Sequence, residues 1–326
     1  MSIKNIANAV LGFFHLPTFM PKSAKVELIA EMSRSNLRIS QIMELKNKLA
    51  LCTYDNDSRH NAWVYVVDKK GGNPSCMHTS STKETIGMSN SLVKYNGRKV
   101  YVMPAEDPKR DGVLCIDYET GSVSALPFKA PYRYAEVADG SVAYFADKGK
   151  GGFWDVLTGK QLDKNLPKIA GIVFGMVKRD GEYICATDDG GLMSTKGWKV
   201  NDFTPDVNYA GNTLLAFTRD GKVRKVKSKG LGSEIGNTKL RPRRSSQDTT
   251  NSLCYWTTHG PQTLWVTNGR KCKKLADFGG DVVADASKEG SCFSSAVVSV
   301  DSKTCYVAAT KARNSGWRLY KVTIKW

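Results

Sequence analysis

Four stretches of this chain read as variants of one phrase: "KYNGRKVYV" (Lys94 to Val102), "VADGSVAYF" (Val137 to Phe145), "KRDGEYICA" (Lys178 to Ala186) and "FTRDGKVRK" (Phe217 to Lys225). Each is a short apolar run, a polar residue followed by Gly, and a second apolar run. Asn-Gly and Asp-Gly accept the positive φ that tight hairpin turns need. The flanking runs, such as "NSLVKY" and "RKVYVM", are rich in β-branched and aromatic residues. The glycines are Gly97, Gly140, Gly181 and Gly221, and weaker copies continue at Gly260 and Ser302, at intervals of 43, 41, 40, 39 and 42 residues. An earlier copy, "QIMELKNKLALCTYD", turns at Lys46-Asn47 and brings the number of units to seven.

Further runs fill the space between these turns. "GVLCIDYETGSVSALPF" and "GGFWDVLTGKQLDKNLP" each hold an apolar strand, a turn ending in Thr-Gly and a final strand, and "NAWVYVVDKKGGNPSCM" is a looser version. Three or four strands per unit, with no helical period between them, leave room only for antiparallel sheets. In repeat length and strand count the chain resembles the β-propeller class, whose blades pack radially and keep only short, protected edges. That resemblance implies an all-β, seven-bladed propeller over residues 25–326. It carries no family-specific residue, because the Gly-His and Trp-Asp signature of WD40 repeats, the paired-Gly kelch pattern and sialidase-type Asp boxes are absent.

The seventh unit is one strand short when the chain ends at "WRLYKVTIKW". The unassigned run "KVELIAEM" (residues 25–32) is expected to be its outer strand, so that the two chain ends close the last blade. The fifth unit, with "SKGLGSEIGNTKLRPRRSSQDTT", is the poorest pair of outer strands and is expected to be partly loop.

Catalytic and metal chemistry finds little footing. The cysteines (Cys52, Cys76, Cys115, Cys185, Cys254, Cys272, Cys292 and Cys305) show no CxxC spacing, and several sit inside apolar strand-like runs, which suits free buried thiols in a reducing compartment. The histidines, His15, His60, His78 and His259, have no second ligand at a metal spacing. No nucleophile elbow, Walker loop or dinucleotide fingerprint occurs, and the Gly-Gly pairs fall between strands, so no cofactor or metal is expected. Asp147, Asp188 and Asp189 end second strands, where ordinary turn aspartates also lie.

The charge is distinctive: 48 Lys+Arg against 31 Asp+Glu give +17. Residues 221–244 alone hold Lys222, Arg224, Lys225, Lys227, Lys229, Lys239, Arg241, Arg243 and Arg244 against one acid, Glu234. Such a run suits nucleic acid, phosphate or an acidic protein face, and equally a plain solvated surface; it has no aromatic residue to stack a base.

Ahead of the repeats, Ile3, Ile6, Ala7, Val10, Leu11 and Phe14 make one stripe of a helix, with Ser2 placed to cap it and Pro17 to stop it. Residues 1–24 are therefore expected to be an amphipathic arm. Its stripe, Ile3, Ile6, Val10, Leu11 and Phe14, suits packing on the propeller, docking into another subunit or lying on a membrane surface. Asn5, Asn8, His15 and Pro17 interrupt any signal-peptide reading, and no apolar run reaches the roughly 18 residues of a spanning helix. The expected location is the cytoplasm or an assembled particle. The sequence thus points to a non-catalytic docking or structural subunit with protein partners, a viral or phage particle component included. The alternatives are a polyanion-binding protein using the basic fifth blade and a carbohydrate-active propeller enzyme.

Overall fold

A computed structural model describes residues 19–55, 61–80, 92–104, 112–128, 134–139, 141–147, 150–163, 173–187, 191–202, 204, 206–279, 295–311 and 315–326. The strands are β1 (Ser23–Ser33), β2 (Leu37–Glu44), β3 (Lys48–Asp55), β4 (Ala62–Asp68), β5 (Ser75–Ser80), β6 (Leu92–Tyr95), β7 (Arg98–Pro104), β8 (Val113–Asp117), β9 (Val123–Ala125), β10 (Tyr134–Asp139), β11 (Val142–Asp147), β12 (Lys150–Asp155), β13 (Lys160–Asp163) and β14 (Val173–Arg179). They continue as β15 (Glu182–Thr187), β16 (Gly191–Ser194), β17 (Lys199–Val200), β18 (Asp206–Ala210), β19 (Thr213–Phe217), β20 (Lys222–Lys227), β21 (Gly230–Asn237), β22 (Pro242–Asp248), β23 (Leu253–Thr258), β24 (Thr263–Thr267), β25 (Cys272–Asp277), β26 (Ser295–Asp301), β27 (Thr304–Thr310) and β28 (Gly316–Lys325). They form seven four-stranded sheets, six of consecutive strands from β2 to β25 and a seventh in the order β1-β28-β27-β26. The chain is an all-β, seven-bladed propeller.

The last blade closes as the sequence predicts. β1 runs antiparallel to β28 with Ser23 opposite Lys325 and Ser33 opposite Gly316, so the strand starts two residues before the expected run and continues one beyond it. The arm residues Ile3, Ile6, Val10, Leu11 and Phe14 lie outside the described residues.

Two compact units divide the chain, one of residues Met43–Thr204 and one of Met1–Ile42 with Pro205–Trp326. In the first, Met43, Cys52 and Val64 of blade one interlock with Tyr101, Met103 and Ile116 of blade two. The opposite faces of β7 and β8 give Val100, Val102 and Cys115 to Ala143 and Trp154 of blade three. In the second unit β23, "LCYWTT", is buried at every position. Alternation explains this: Cys254 and Trp256 pack on Leu215, Phe217 and Val223 of blade five, while Leu253 and Tyr255 pack on Val297, Cys305 and Val307 of blade seven. A strand covered on both faces reads as an apolar run and not as a half-polar alternation.

The turns refine the repeat. Asn96 (φ 48°) with Gly97 (φ 79°) and Asp180 (φ 46°) with Gly181 (φ 74°) are two-residue turns joining first to second strands. Gly221 is different. It follows Asp220 in the loop joining β19 to β20, where the Gly221 N–H donates to Thr218 O (3.0 Å) and the Thr218 N–H to Lys222 O (2.9 Å). Gly260 likewise lies between β23 and β24. Both therefore mark the second hairpin of their blades; the first hairpins turn at Gly211-Asn212 and Asn251-Ser252. The constant spacing across blades four to six came from exchanging one hairpin for the next. The expected loop in blade five is also absent: β20 and β21 form a hairpin with two register shifts around Arg224, and the "RPRRSSQD" stretch supplies β22, the first strand of blade six.

Third-strand ends repeat a carboxylate cap. Asp117 Oδ1 accepts from the N–H groups of Glu119 (2.9 Å) and Thr120 (2.8 Å), and Asp155 Oδ1 from those of Leu157 (2.9 Å) and Thr158 (3.4 Å). These are the Thr-Gly turns of the sequence, with Gly121 and Gly159 at positive φ.

Candidate functional site

The run 221–244 does not fold into one surface. Lys222, Arg224, Lys225 and Lys227 lie on β20, Lys229 on its turn, Lys239 and Arg241 between blades, and Arg243 and Arg244 on β22. On β20 alternation divides them further. Lys225 stands opposite Leu215 on the face that turns Val223 into the core, and Arg224 stands opposite Ala216 on the other face. Lys227 and Lys229 sit at the end of the blade holding the β18–β19 turn; Lys222, Lys239 and Arg241 sit at the opposite end.

Several of these cations are engaged locally. Lys222 pairs with Asp220 (2.6 Å) across a half-exposed turn, and Arg224 Nε donates to Gly232 O (3.1 Å). The main chain of the inter-blade segment is tied as well: the Lys239 backbone N–H donates to Asn237 Oδ1 (2.8 Å), and the Arg241 backbone O accepts from the His259 N–H (2.8 Å). Arg244 places its charge near Asp206.

Asp206, at the base of β18, is a structural staple. Its Oδ2 accepts from the Ser245 N–H and Oγ–H (both 2.6 Å), joining blades five and six, and Oδ1 accepts from the Val207 N–H (2.9 Å). Burial pushes the carboxyl above its ordinary range despite the Arg244 charge and these donors. Blades six and seven are tied by Gln262, whose Nε2 donates to Thr310 O (2.8 Å) and whose Oε1 accepts from the Thr310 N–H (2.9 Å).

In blade four, Glu182 accepts from Arg179 Nη2 (2.8 Å), from Trp198 Nε1 (3.1 Å) and from the Ser194 hydroxyl. Burial alone would raise its carboxyl; the Ser194, Arg179 and Trp198 donors and the Arg179 charge outweigh it and hold it below the usual range.

The remaining chemistry is spent on packing. Burial raises the thiols of Cys52, Cys254 and Cys305 well above the ordinary range and pushes Cys272 up to about 11, so these groups stay protonated and inert. Cys76 is exposed on β5. His78 lies on β5 and His259 beside the β23–β24 turn, while His15 and His60 are outside the described residues. Among the described residues no three His, Cys, Asp or Glu side chains gather to hold a metal. Asp147 ends β11, and Asp188 and Asp189 lie outside the described residues. No helix among the described residues is long and apolar enough to cross a membrane.

The fold places the chain among seven-bladed β-propellers, and solved structures agree. It is similar to Chaetomium thermophilum Raptor (TM-score 0.61, 12% identity, 90% of this chain and 29% of that one). It is also similar to the β-propeller domain of Cps50 (Swd1) from Myceliophteria thermophila (TM-score 0.56, 11% identity, 91% and 99%) and to the C-terminal WD40 domain of Sif2 (TM-score 0.53, 12% identity, 92% and 99%). No protein-family model matches the chain, and no curated protein sequence matches it. The likeness is one of fold: the WD40 signature residues are missing from the sequence although WD40 propellers share the architecture.

Proposed function

We propose that this propeller is a non-catalytic docking subunit of a larger assembly, with other proteins as its partners. The observation that carries the reading is the use of its buried acids. Asp55, Asp117, Glu182, Asp206 and Asp248 are the buried carboxylates among the described residues. Asp55 accepts from Asn61 (2.7 and 2.9 Å), Asp248 caps the β22–β23 turn through Asn251 (2.8 and 3.1 Å), and the other three hold the turns and blades described above. These five are committed to architecture, so none of the buried carboxylates among the described residues is set aside for acid–base work, which speaks against the carbohydrate-active alternative. Fold likeness to propeller domains such as that of Sif2 supports a binding role by analogy alone.

The test is affinity capture at about 0.5 M salt, where exposed-charge attraction is screened, comparing the full chain with residues 19–326. Defined partners held by the full chain and lost on truncation assign the docking to the stripe of Ile3, Ile6, Val10, Leu11 and Phe14; partners held by both assign it to the blades. A blank from both, or turnover on a glycan panel abolished by Asp147→Asn, sinks the reading. The narrower form, a viral or phage particle component, rests on the pairing of a basic propeller with an apolar N-terminal stripe, and requires the chain to co-sediment with particles. The nine cations of 221–244 acting as a single polyanion site is the weaker alternative, since they divide between both ends and both faces of a blade.

A further inference from the structure

In a four-stranded antiparallel blade the first and third hairpin turns share one end. In blades five to seven that end bears Lys229 on the β20–β21 turn, Arg270 and Lys271 on the β24–β25 turn and Lys303 on the β26–β27 turn; Lys22 and Lys325 stand at the paired tips of β1 and β28. All six are exposed. Among the described residues none of them makes an ion pair within 4.0 Å. Asp301, whose Oδ1 accepts from the Lys303 N–H (2.7 Å), is the exposed acid of these turns, and Asp248 is buried.

These tips form one continuous surface. Lys22 N–H donates to Lys325 O (2.8 Å), and Ile324 N–H to Lys303 O (2.7 Å). Trp326 Nε1 and Asn251 Nδ2 both donate to Ser302 O (3.0 and 3.4 Å), tying the blade-six turn to blade seven. Lys273 Nζ on β25 donates to Pro21 O (2.9 Å) and Lys22 O (2.6 Å), adding a seventh cation to the seam. Blade five joins through close approach: a Cβ on Gly211 would stand 2.9 Å from Ser252 Cβ, and one on Gly269 would stand 2.9 Å from Thr213 Cβ.

We propose that this turn end of blades five to seven binds the phosphodiester backbone of a nucleic acid without reading its sequence, through Lys22, Lys229, Arg270, Lys271, Lys303 and Lys325. The site is independent of the docking reading above. A protein partner needs an apolar seat inside a polar rim, and a membrane needs side chains to insert. Phe19 (53% exposed) is the one large exposed apolar side chain that the described residues offer near these tips, since Leu28 lies in the middle of β1. What remains is a row of cations, five of them lysine point charges, over three adjacent blades. A polymer with one charge per repeat matches that row and gains affinity by counterion release.

The experiment follows the anisotropy of a labelled oligo-dT of about 30 nucleotides and a duplex of equal length while salt rises from about 50 to 300 mM. The full chain is compared with K271E/K303E/K325E and with R219E/K222E/K239E, an equal charge change at the opposite end. The expected wild-type slope of log K against log salt approaches about −5 on the duplex, six contacts at about 0.9 each, and about −4 on oligo-dT at about 0.7 each. The turn-end triple should flatten it by about 3 and weaken binding at least about 100-fold at the lowest salt, with the opposite-end triple within about threefold of wild type. Equal weakening by both triples means net charge alone and overturns the site. So does absence of binding at low salt, or binding only to poly-glutamate or to phosphatidylserine vesicles. Thermal melts confirm that each variant is folded.

Discussion

Trp256 is the sharpest test of how adjacent blades hold together. Its side chain is fully buried on β23, with ring centroids 5.2 Å from Phe217 of blade five and 6.2 Å from Trp265. Trp256→Ala removes that body and leaves a cavity between blades that their hydrogen-bonded sheets cannot collapse, at a cost of about 3–5 kcal/mol. The indole Nε1 is itself a buried donor without an acceptor among the described residues. Trp256→Phe therefore loses part of the packing but also removes an unmet donor that costs about 1–3 kcal/mol, so the two effects largely cancel. A chain of this length loses about 1.5 °C of Tm per kcal/mol, taking unfolding as one transition. The expected shifts in calorimetry are about 4–7 °C for the alanine variant and under about 2 °C for phenylalanine. If phenylalanine were as damaging as alanine, the indole N–H would be contributing a bond, and the packing account would be wrong.

Three other outcomes follow from the same contacts. Glu182→Gln should cost about 1.5–3 kcal/mol at pH 7, because a charged acceptor of several donors is lost. Since folding holds this carboxyl below its ordinary value of 4.5, its stabilisation is complete above that value and lost as pH falls through the lower folded one. The gap between wild type and variant, read by melting from pH 7 to about 3, should shrink toward acid; a constant gap would refute the ionic account. Gly316→Ala should weaken closure of the last blade severely, since its φ of 116° resists a side chain and a Cβ would stand 1.9 Å from Met32 O on β1. Gly97→Ala, at φ 79° with open space around it, should cost only about 1–2 kcal/mol of left-handed strain; equal losses at the two sites would show that the β1 contact is not what matters.

Much of the fold was legible because a hairpin is a local signal. Asn96-Gly97 and Asp180-Gly181 adopt the positive φ values their residue types favour, and the Asp117 and Asp155 caps stand where the Thr-Gly turns announced them. The closing strand was legible too, as an orphan alternating run matching a blade one strand short. Which hairpin each glycine serves was not: Asp-Gly before β15 joins the first two strands of its blade, while Asp-Gly before β20 joins the second and third. Both turns use the same chemistry, and only pairing with the next strand distinguishes them. The Asp206–Ser245 staple escaped notice because its partners are 39 residues apart and neither belongs to a motif.

The sequence by itself determined the number of blades, the antiparallel strands and the closing of the last sheet, since period-2 burial and turn chemistry act over a few residues. Tertiary structure alone decided which charges share a surface. A strand of six residues spans about 20 Å from one end of a blade to the other, and its side chains alternate between faces. The dense run at 221–244 is therefore pulled apart, Lys222 to one end and Lys227 to the other. Lys22, Lys229, Lys271, Lys303 and Lys325, scattered along the whole chain, are brought to one end because each occupies the same phase of its blade. In a repeat of antiparallel strands, charges meet by their position within the repeat and not by nearness in sequence.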